Sequence, residues 1–145
     1  MLFRSARAWV DPAFKSRLLA DTSAAAAELG MDIGPIPIVV MENTPREHNM
    51  VVCTLCSCYP RMLLGIPPDW YKSREYRSRA VREPRQVLAE FGTKLPDDVS
   101  IRVHDSTADL RYMVLPMQPA DSVGQDEGDL AARVTRDTLI GVALP

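Results

Sequence analysis

All three cysteines of the chain, Cys53, Cys56 and Cys58, fall within six residues in the run Val52-Cys53-Thr54-Leu55-Cys56-Ser57-Cys58-Tyr59-Pro60. Thiols this close can converge on one ion from a single tight loop, with the peptides between Cys56 and Cys58 facing the same point. Thiolates are soft ligands that select late transition metals over magnesium or calcium. A structural zinc site closes with four cysteine or histidine side chains, often as two separated pairs. Here one C-x-x-C is followed by a single further cysteine, with no second pair. Three side-chain ligands from one loop leave coordination positions open, as a Lewis-acid catalyst requires. The competing reading is a non-catalytic zinc or thiol module built on structural or redox cysteines. His48, five residues upstream, lacks a recognised zinc spacing and reads better as a surface or hydrogen-bonded histidine. His104 stands on an alternating run and reads as structural.

The rest of the chain must position that loop. Its 145 residues fit one domain, spanning 1–145, and are enough to bury a continuous core. A net charge of −2 argues against a general affinity for nucleic acid. No apolar run is long enough to span a membrane. Two arginines near the N-terminus precede no uninterrupted apolar stretch, so a secretory signal is not expected. A clustered, odd cysteine count is not a disulfide framework and fits a reducing compartment, so a cytoplasmic protein is expected.

Asp11-Pro12 opens a helix expected to run through the alanines at 24–27 to Leu29, where Gly30 stops it. Strands are expected over 38–41 and 50–52, the second feeding the cysteine loop. Residues 69–82, dense in arginine, lysine and tyrosine, predict a helix, and 84–91 a second one closed by Gly92. The alternation over 100–105 and 111–115, with a turn at 106–109, predicts an antiparallel hairpin. A polar, mobile stretch over 119–128 precedes a helix at 129–136 and an apolar close at 139–144. The class is α+β with mainly antiparallel sheet. Leu18, Val39, Val52, Leu64, Val103, Val114 and Ile140 are expected in the core.

The cysteine string resembles the metal loop of the nitrile hydratase alpha subunit, cobalt type. The resemblance covers almost the whole chain, in order. It takes in Ala8-Trp9-Val10-Asp11-Pro12, Arg17-Leu18-Leu19-Ala20-Asp21, Glu42-Asn43-Thr44, Leu64-Gly65-Ile66-Pro67-Pro68 and Trp70-Tyr71-Lys72-Ser73. It continues through Glu75-Tyr76-Arg77-Ser78-Arg79, Arg82-Glu83-Pro84-Arg85, Arg111-Tyr112-Met113-Val114-Leu115-Pro116 and Leu139-Ile140-Gly141-Val142. It implies a hydro-lyase that turns a nitrile into an amide, in a single domain layered α-β-β-α. Cys53, Cys56 and Cys58 would bind a trivalent, non-corrin metal through sulfur, with the main-chain amides of Ser57 and Cys58 as further ligands. The remaining position would hold water or substrate. In the family, Cys56 is matured to a sulfinic acid and Cys58 to a sulfenic acid, making these two the implied catalytic residues. Thr54 and Tyr59 match the cobalt variety, Co(III), rather than iron. The implied partners are a beta-type subunit, an activator or metallochaperone protein, and a small nitrile. The stretch from Tyr71 to Arg85 reads either as a solvated helix face or, by the same resemblance, as partly turned toward the beta-type subunit.

Two departures matter. The family usually carries a helical arm before the Ala-Trp-Val-Asp-Pro region, whereas this chain starts at Met1, eight residues before Trp9. Arg61-Met62 also stands where the common sequence has Trp-Pro after Tyr59-Pro60. A cation in place of an aromatic wall places Arg61 in the expected substrate pocket and favours a polar or anionic substrate. Arginine here is similar to the gamma subunit of thiocyanate hydrolase, a sister enzyme that releases carbonyl sulfide and ammonia, which is the alternative reading.

Overall fold

Aspartates punctuate the N-terminal third. The computed structural model describes residues 3–145, so the Met1-Leu2 end of the arginine-bearing N-terminus lies outside it. Helices α1 (Ala6–Val10), α2 (Pro12–Ala20) and α3 (Thr22–Glu28) follow one another with single-residue breaks at Asp11 and Asp21. Both aspartates are extended, and each carboxylate accepts the amide of the third residue on, Phe14 and Ala24, at 3.0 Å. A short carboxylate competes with the backbone ladder in this way and favours a cap over a helix interior. The single helix expected from Asp11 to Leu29 is therefore two. The same happens at Ser73. Its hydroxyl accepts from Tyr76 N at 3.1 Å and divides the expected 69–82 helix into a 3-10 turn, Asp69–Lys72, and α5 (Arg74–Arg82). Helices α4 (Arg61–Leu64), α6 (Pro84–Glu90), α7 (Glu127–Ala131) and α8 (Arg136–Ile140) complete the set. The expected 129–136 helix breaks before Thr135, which caps α8 instead.

The strands are β1 (Ile38–Glu42), β2 (Glu47–Val52), β3 (Ser100–Asp105) and β4 (Arg111–Leu115). Their pairing overturns the expected antiparallel sheet. β1 pairs with β4 and β2 with β3, both in parallel, giving two two-stranded sheets. The register sets Ile38 beside Arg111 and Glu42 beside Leu115 in one sheet, and Glu47 beside Ser100 and Val52 beside Asp105 in the other. The expected hairpin of β3 and β4 does not form. The segment between them does turn tightly, with Thr107 N donating to Leu110 O at 2.8 Å. It serves as a crossing from one sheet to the other. Ser106 N donates to Val52 O at 2.7 Å, extending the β2 ladder, and Arg111 N to Pro37 O at 3.0 Å, opening the β1 ladder. The class is thus α+β with short parallel strand pairs.

Parallel pairing needs a long crossover. The one between β2 and β3 carries the cysteine loop, α4, the 3-10 turn, α5 and α6, so the loop leaves the C-terminal end of β2 beside the C-terminal end of β3. Helices α2 and α3 contact β1, α5 contacts β2, α6 contacts β3, and α8 contacts β4 and β2. Leu18, Val52, Leu64, Val114 and Ile140 are buried. Val39 is 37% exposed and Val103 half-buried, because a two-stranded sheet leaves alternate positions of its edges uncovered. Among the described residues no helix is long and apolar enough to cross a membrane.

A buried polar network ties the start of β2 to the end of α8. Asn43 Oδ1 accepts from Asn49 N at 2.7 Å and from Asn49 Nδ2 at 3.0 Å, and Asn43 Nδ2 donates to His48 Nδ1 at 3.2 Å. His48 Nε2 donates to Gly141 O at 2.6 Å, and His104 Nε2 donates to Asn49 Oδ1 at 2.7 Å. Burial holds the basicity of both histidines below the usual range. For His48 the Gly141 carbonyl opposes this only in part; for His104 the Arg102 charge adds to it against Glu47. The unfolded chain therefore takes up protons that the fold resists. Stability is fully present above the ordinary histidine value and is lost progressively as pH falls from it toward the lower values of the folded protein. The melting temperature should drop between about pH 7.5 and about pH 5.5, and a flat Tm over that window contradicts this account.

Candidate metal centre

The loop is gripped along its length. Outside the loop, on β2, Val51 O accepts the hydroxyl of Tyr76 in α5 at 2.6 Å. Asp105, the last residue of β3, takes Thr54 at two points, its amide at 2.9 Å and its hydroxyl at 2.6 Å. Arg77 Nη2 reaches Thr54 O at 3.3 Å. Tyr71 in the 3-10 turn donates to Cys58 O at 2.8 Å, and Arg111 Nη1, at the start of β4, to Tyr59 O at 3.0 Å. Buried Tyr59 and Tyr71 meet edge to face, centroids 5.1 Å apart.

This grip brings the three sulfurs together, all within 4.8 Å of one another. Cys53 Sγ lies 3.5 Å from Cys56 Sγ, and Cys56 Sγ lies 3.0 Å from Cys58 Sγ. These are separate thiols, not a disulfide. With metal–sulfur bonds of about 2.3 Å, sulfurs at a right angle stand about 3.3 Å apart and at the tetrahedral angle about 3.8 Å. Both spacings are short enough for two sulfurs bound to one ion, so the cluster fits the donor set of a single metal site. Cys53 is fully buried and Cys58 half-buried, while Cys56 and Ser57 are exposed. Hydrogen bonds from Cys58 and Cys53 pull the Cys56 thiol down to about 7, helped by the nearby main-chain amides of Cys58 and Ser57. Desolvation and the hydrogen bond with Cys56 push Cys58 up to about 12. Those two amides thus lie near the Cys56 sulfur.

The loop's open side forms a cleft of about 530 Å3, lined by Cys56, Ser57 and Cys58 together with Arg61, Lys72 and Arg111, and by no carboxylate. Arg61 also lines an adjoining hollow of about 350 Å3 with Met62 and Arg111. Neither histidine joins the cluster. His48 is committed to Gly141 and Asn43, and His104 to Asn49. In α5 the guanidinium of Arg79 is held by Glu83 and Glu90, whereas Arg74, Arg77 and Arg82 line a hollow beside Thr54. Sequence reasoning missed Asp105, Tyr71 and Arg111 as supports of the loop. They lie 13 or more positions away and carry no local motif.

Residues 4–143 match the family model of the nitrile hydratase alpha chain. The chain belongs to that family. It is 58% identical over 141 residues to the low-molecular weight cobalt-containing nitrile hydratase subunit alpha of Rhodococcus rhodochrous, covering 97% of this chain and 68% of that one. It is 51% identical to the cobalt-containing alpha subunit of Pseudonocardia thermophila, over 94% and 68%. The gamma subunit of thiocyanate hydrolase from Thiobacillus thioparus is 46% identical, over 97% of this chain and 63% of the relative. Among solved structures, a double mutant of the Fe-type nitrile hydratase from Comamonas testosteroni Ni1 superposes with TM-score 0.93 at 48% identity, covering 97% and 69%. A recombinant thiocyanate hydrolase with partially modified cobalt centres gives 0.93 at 46%, covering 98% and 71%. The nitrile hydratase alpha family thus accounts for nearly all of this chain, cysteine loop included.

Proposed function

We propose that residues 1–145 act as one domain, the metal-bearing catalytic subunit of a nitrile hydratase, working with a beta-type subunit to hydrate a nitrile to its amide. The observation that carries this is the convergence of three cysteine sulfurs on one loop whose outer residues, Cys56, Ser57 and Cys58, line an open cleft. Cys53, Cys56 and Cys58, with the amide nitrogens of Ser57 and Cys58, would hold the ion. Two relatives are named cobalt-containing, and Thr54 and Tyr59 match that variety, so cobalt is the metal proposed over iron. Bound there, the ion supplies Lewis acidity that polarises a nitrile or acidifies water. Cys53, buried, anchors the loop from below. Cys56 as sulfinate and Cys58 as sulfenate face the cleft, and the sulfenate oxygen of Cys58 is the nucleophile or base. Asp105 and Tyr71 keep the loop shaped for this. An activator protein for loading, in the reducing cytoplasm that keeps the thiols unpaired, belongs to the same reading.

Arg61 belongs to the substrate pocket in this proposal. Its guanidinium on the cleft wall, with Lys72 and Arg111, favours a polar or anionic end on the substrate. That residue also supports the second reading, the gamma-type subunit of a thiocyanate hydrolase. The test is metal analysis, peptide mass and turnover of the chain co-expressed with its beta-type subunit, for the parent and for Arg61→Trp. Expected are one cobalt per chain, added oxygen on the Cys56-Cys58 peptide, and nitrile hydration without thiocyanate turnover. Arg61→Trp should move the preference toward apolar nitriles by about 10-fold or more. One zinc per chain with three unmodified thiols rejects the enzyme reading. Carbonyl sulfide and ammonia from thiocyanate, without nitrile hydration, moves the chain to the second one.

A further inference from the structure

Between Leu55 and Cys58, the Cys58 carbonyl is the only one that receives a hydrogen bond among the described residues. Its donor is the Tyr71 hydroxyl at 2.8 Å, from a side chain with no exposed surface. The same ring packs edge-on against Tyr59, the residue that follows Cys58. One side chain thus fixes both the carbonyl of Cys58 and the ring after it. The other grips lie upstream or downstream. Asp105 holds Thr54, Ser106 N holds Val52 O, and Arg111 holds the carbonyl of Tyr59.

We propose that Tyr71 is the positioning residue for Cys58: its hydroxyl sets the backbone rotation that points the Cys58 sulfur, and any oxygen on it, into the cleft. The proposal rests on the reading of the loop as a metal site. Without the hydroxyl, the Cys58 carbonyl is free to rotate and the sulfur turns with it. Groups that orient metal ligands in this way are worth about 10–100-fold in metal affinity.

Tyr76 provides a matched control. It is 5% exposed, lies in the same aromatic cluster, and donates its hydroxyl to Val51 O, which lies on β2 rather than in the loop. The experiment compares Tyr71→Phe with Tyr76→Phe in the metal-loaded complex with the beta-type subunit. It reads the sulfur-to-metal absorption band, the rate of metal loss to a chelator, and Tm. Tyr71→Phe should displace the band and speed metal loss by about 10-fold or more, and Tyr76→Phe should lower Tm while leaving both unchanged. Tyr71→4-aminophenylalanine, which keeps a donor in the same place, should restore band and release rate. The proposal is overturned if Tyr71→Phe keeps the parent band and release rate while Tm falls. It is overturned equally if the aminophenylalanine variant folds but behaves as Tyr71→Phe. A parent complex with no sulfur-to-metal band removes the metal reading and this proposal together, a result separable from the variant comparison.

Discussion

Cys53→Ala should strip the chain of its metal, lowering retained metal by more than about 100-fold and turnover at least as far, while the metal-free fold survives. Groups that merely orient ligands are worth about 10–100-fold in affinity, and Cys53 is in the proposed site a ligand itself. Its sulfur is fully buried, 3.5 Å from Cys56 Sγ, and also accepts the Cys56 amide at 3.3 Å. Removing it therefore loses a soft donor and a contact that shapes the loop. Serine cannot substitute, because a hydroxyl is a hard and barely acidic donor where a thiolate is wanted. The cost to the metal-free chain is that of a small buried side chain, roughly 1 kcal/mol. Metal content of the purified complex, turnover, and the melt of the metal-free protein separate the two effects. A Cys53→Ala protein carrying nearly one metal per chain would show that the ion is held elsewhere.

What could be read from the sequence divides along physical lines. The cysteine loop was legible because its donors are neighbours in the chain, so spacing alone fixes how far apart they can lie. Arg61 is likewise tied to the cleft by standing three residues after Cys58. Helix content was legible from pattern, but its breaks were not. Asp21 and Ser73 are tolerable inside a helix and better as caps, and only the surrounding packing decides between the two. Strand pairing was out of reach for a different reason. Alternation over 100–105 and 111–115 reports which face is buried and says nothing of the partner. The tight turn at Thr107–Leu110 is compatible with a hairpin and with a crossing between sheets. The same long-range pairing hides the supports of the loop. Asp105 reaches Thr54 only because β3 lies parallel to β2 with Val52 beside Asp105. An antiparallel hairpin with β4 would not have required that meeting.

The dependence of the loop on distant packing makes Gly141→Ala the most damaging single change expected outside the cluster. Gly141 ends α8 with φ 97°, a left-handed conformation that costs a residue with a Cβ about 1–2 kcal/mol. The added carbon would also meet the Asn49 carbonyl and stand 2.8 Å from Met50 Cα, both backbone atoms of β2. Neither can yield as a flexible side chain does, so α8 or β2 must move. The Gly141 carbonyl holds His48 Nε2, so the movement also opens the buried network of Asn43, His48 and Asn49. Strain and the broken network together should cost roughly 3–5 kcal/mol, a large share of the stability of a domain this size. Met50 lies on β2 three residues before Cys53, so any fraction that folds does so with the first sulfur displaced. Urea unfolding of the metal-free chain should show the loss, and metal content of the soluble fraction should fall with it. An alanine variant that unfolds within about 1 kcal/mol of the parent and keeps its metal would mean that the C-terminal helix does not brace the strand beneath the cysteine loop.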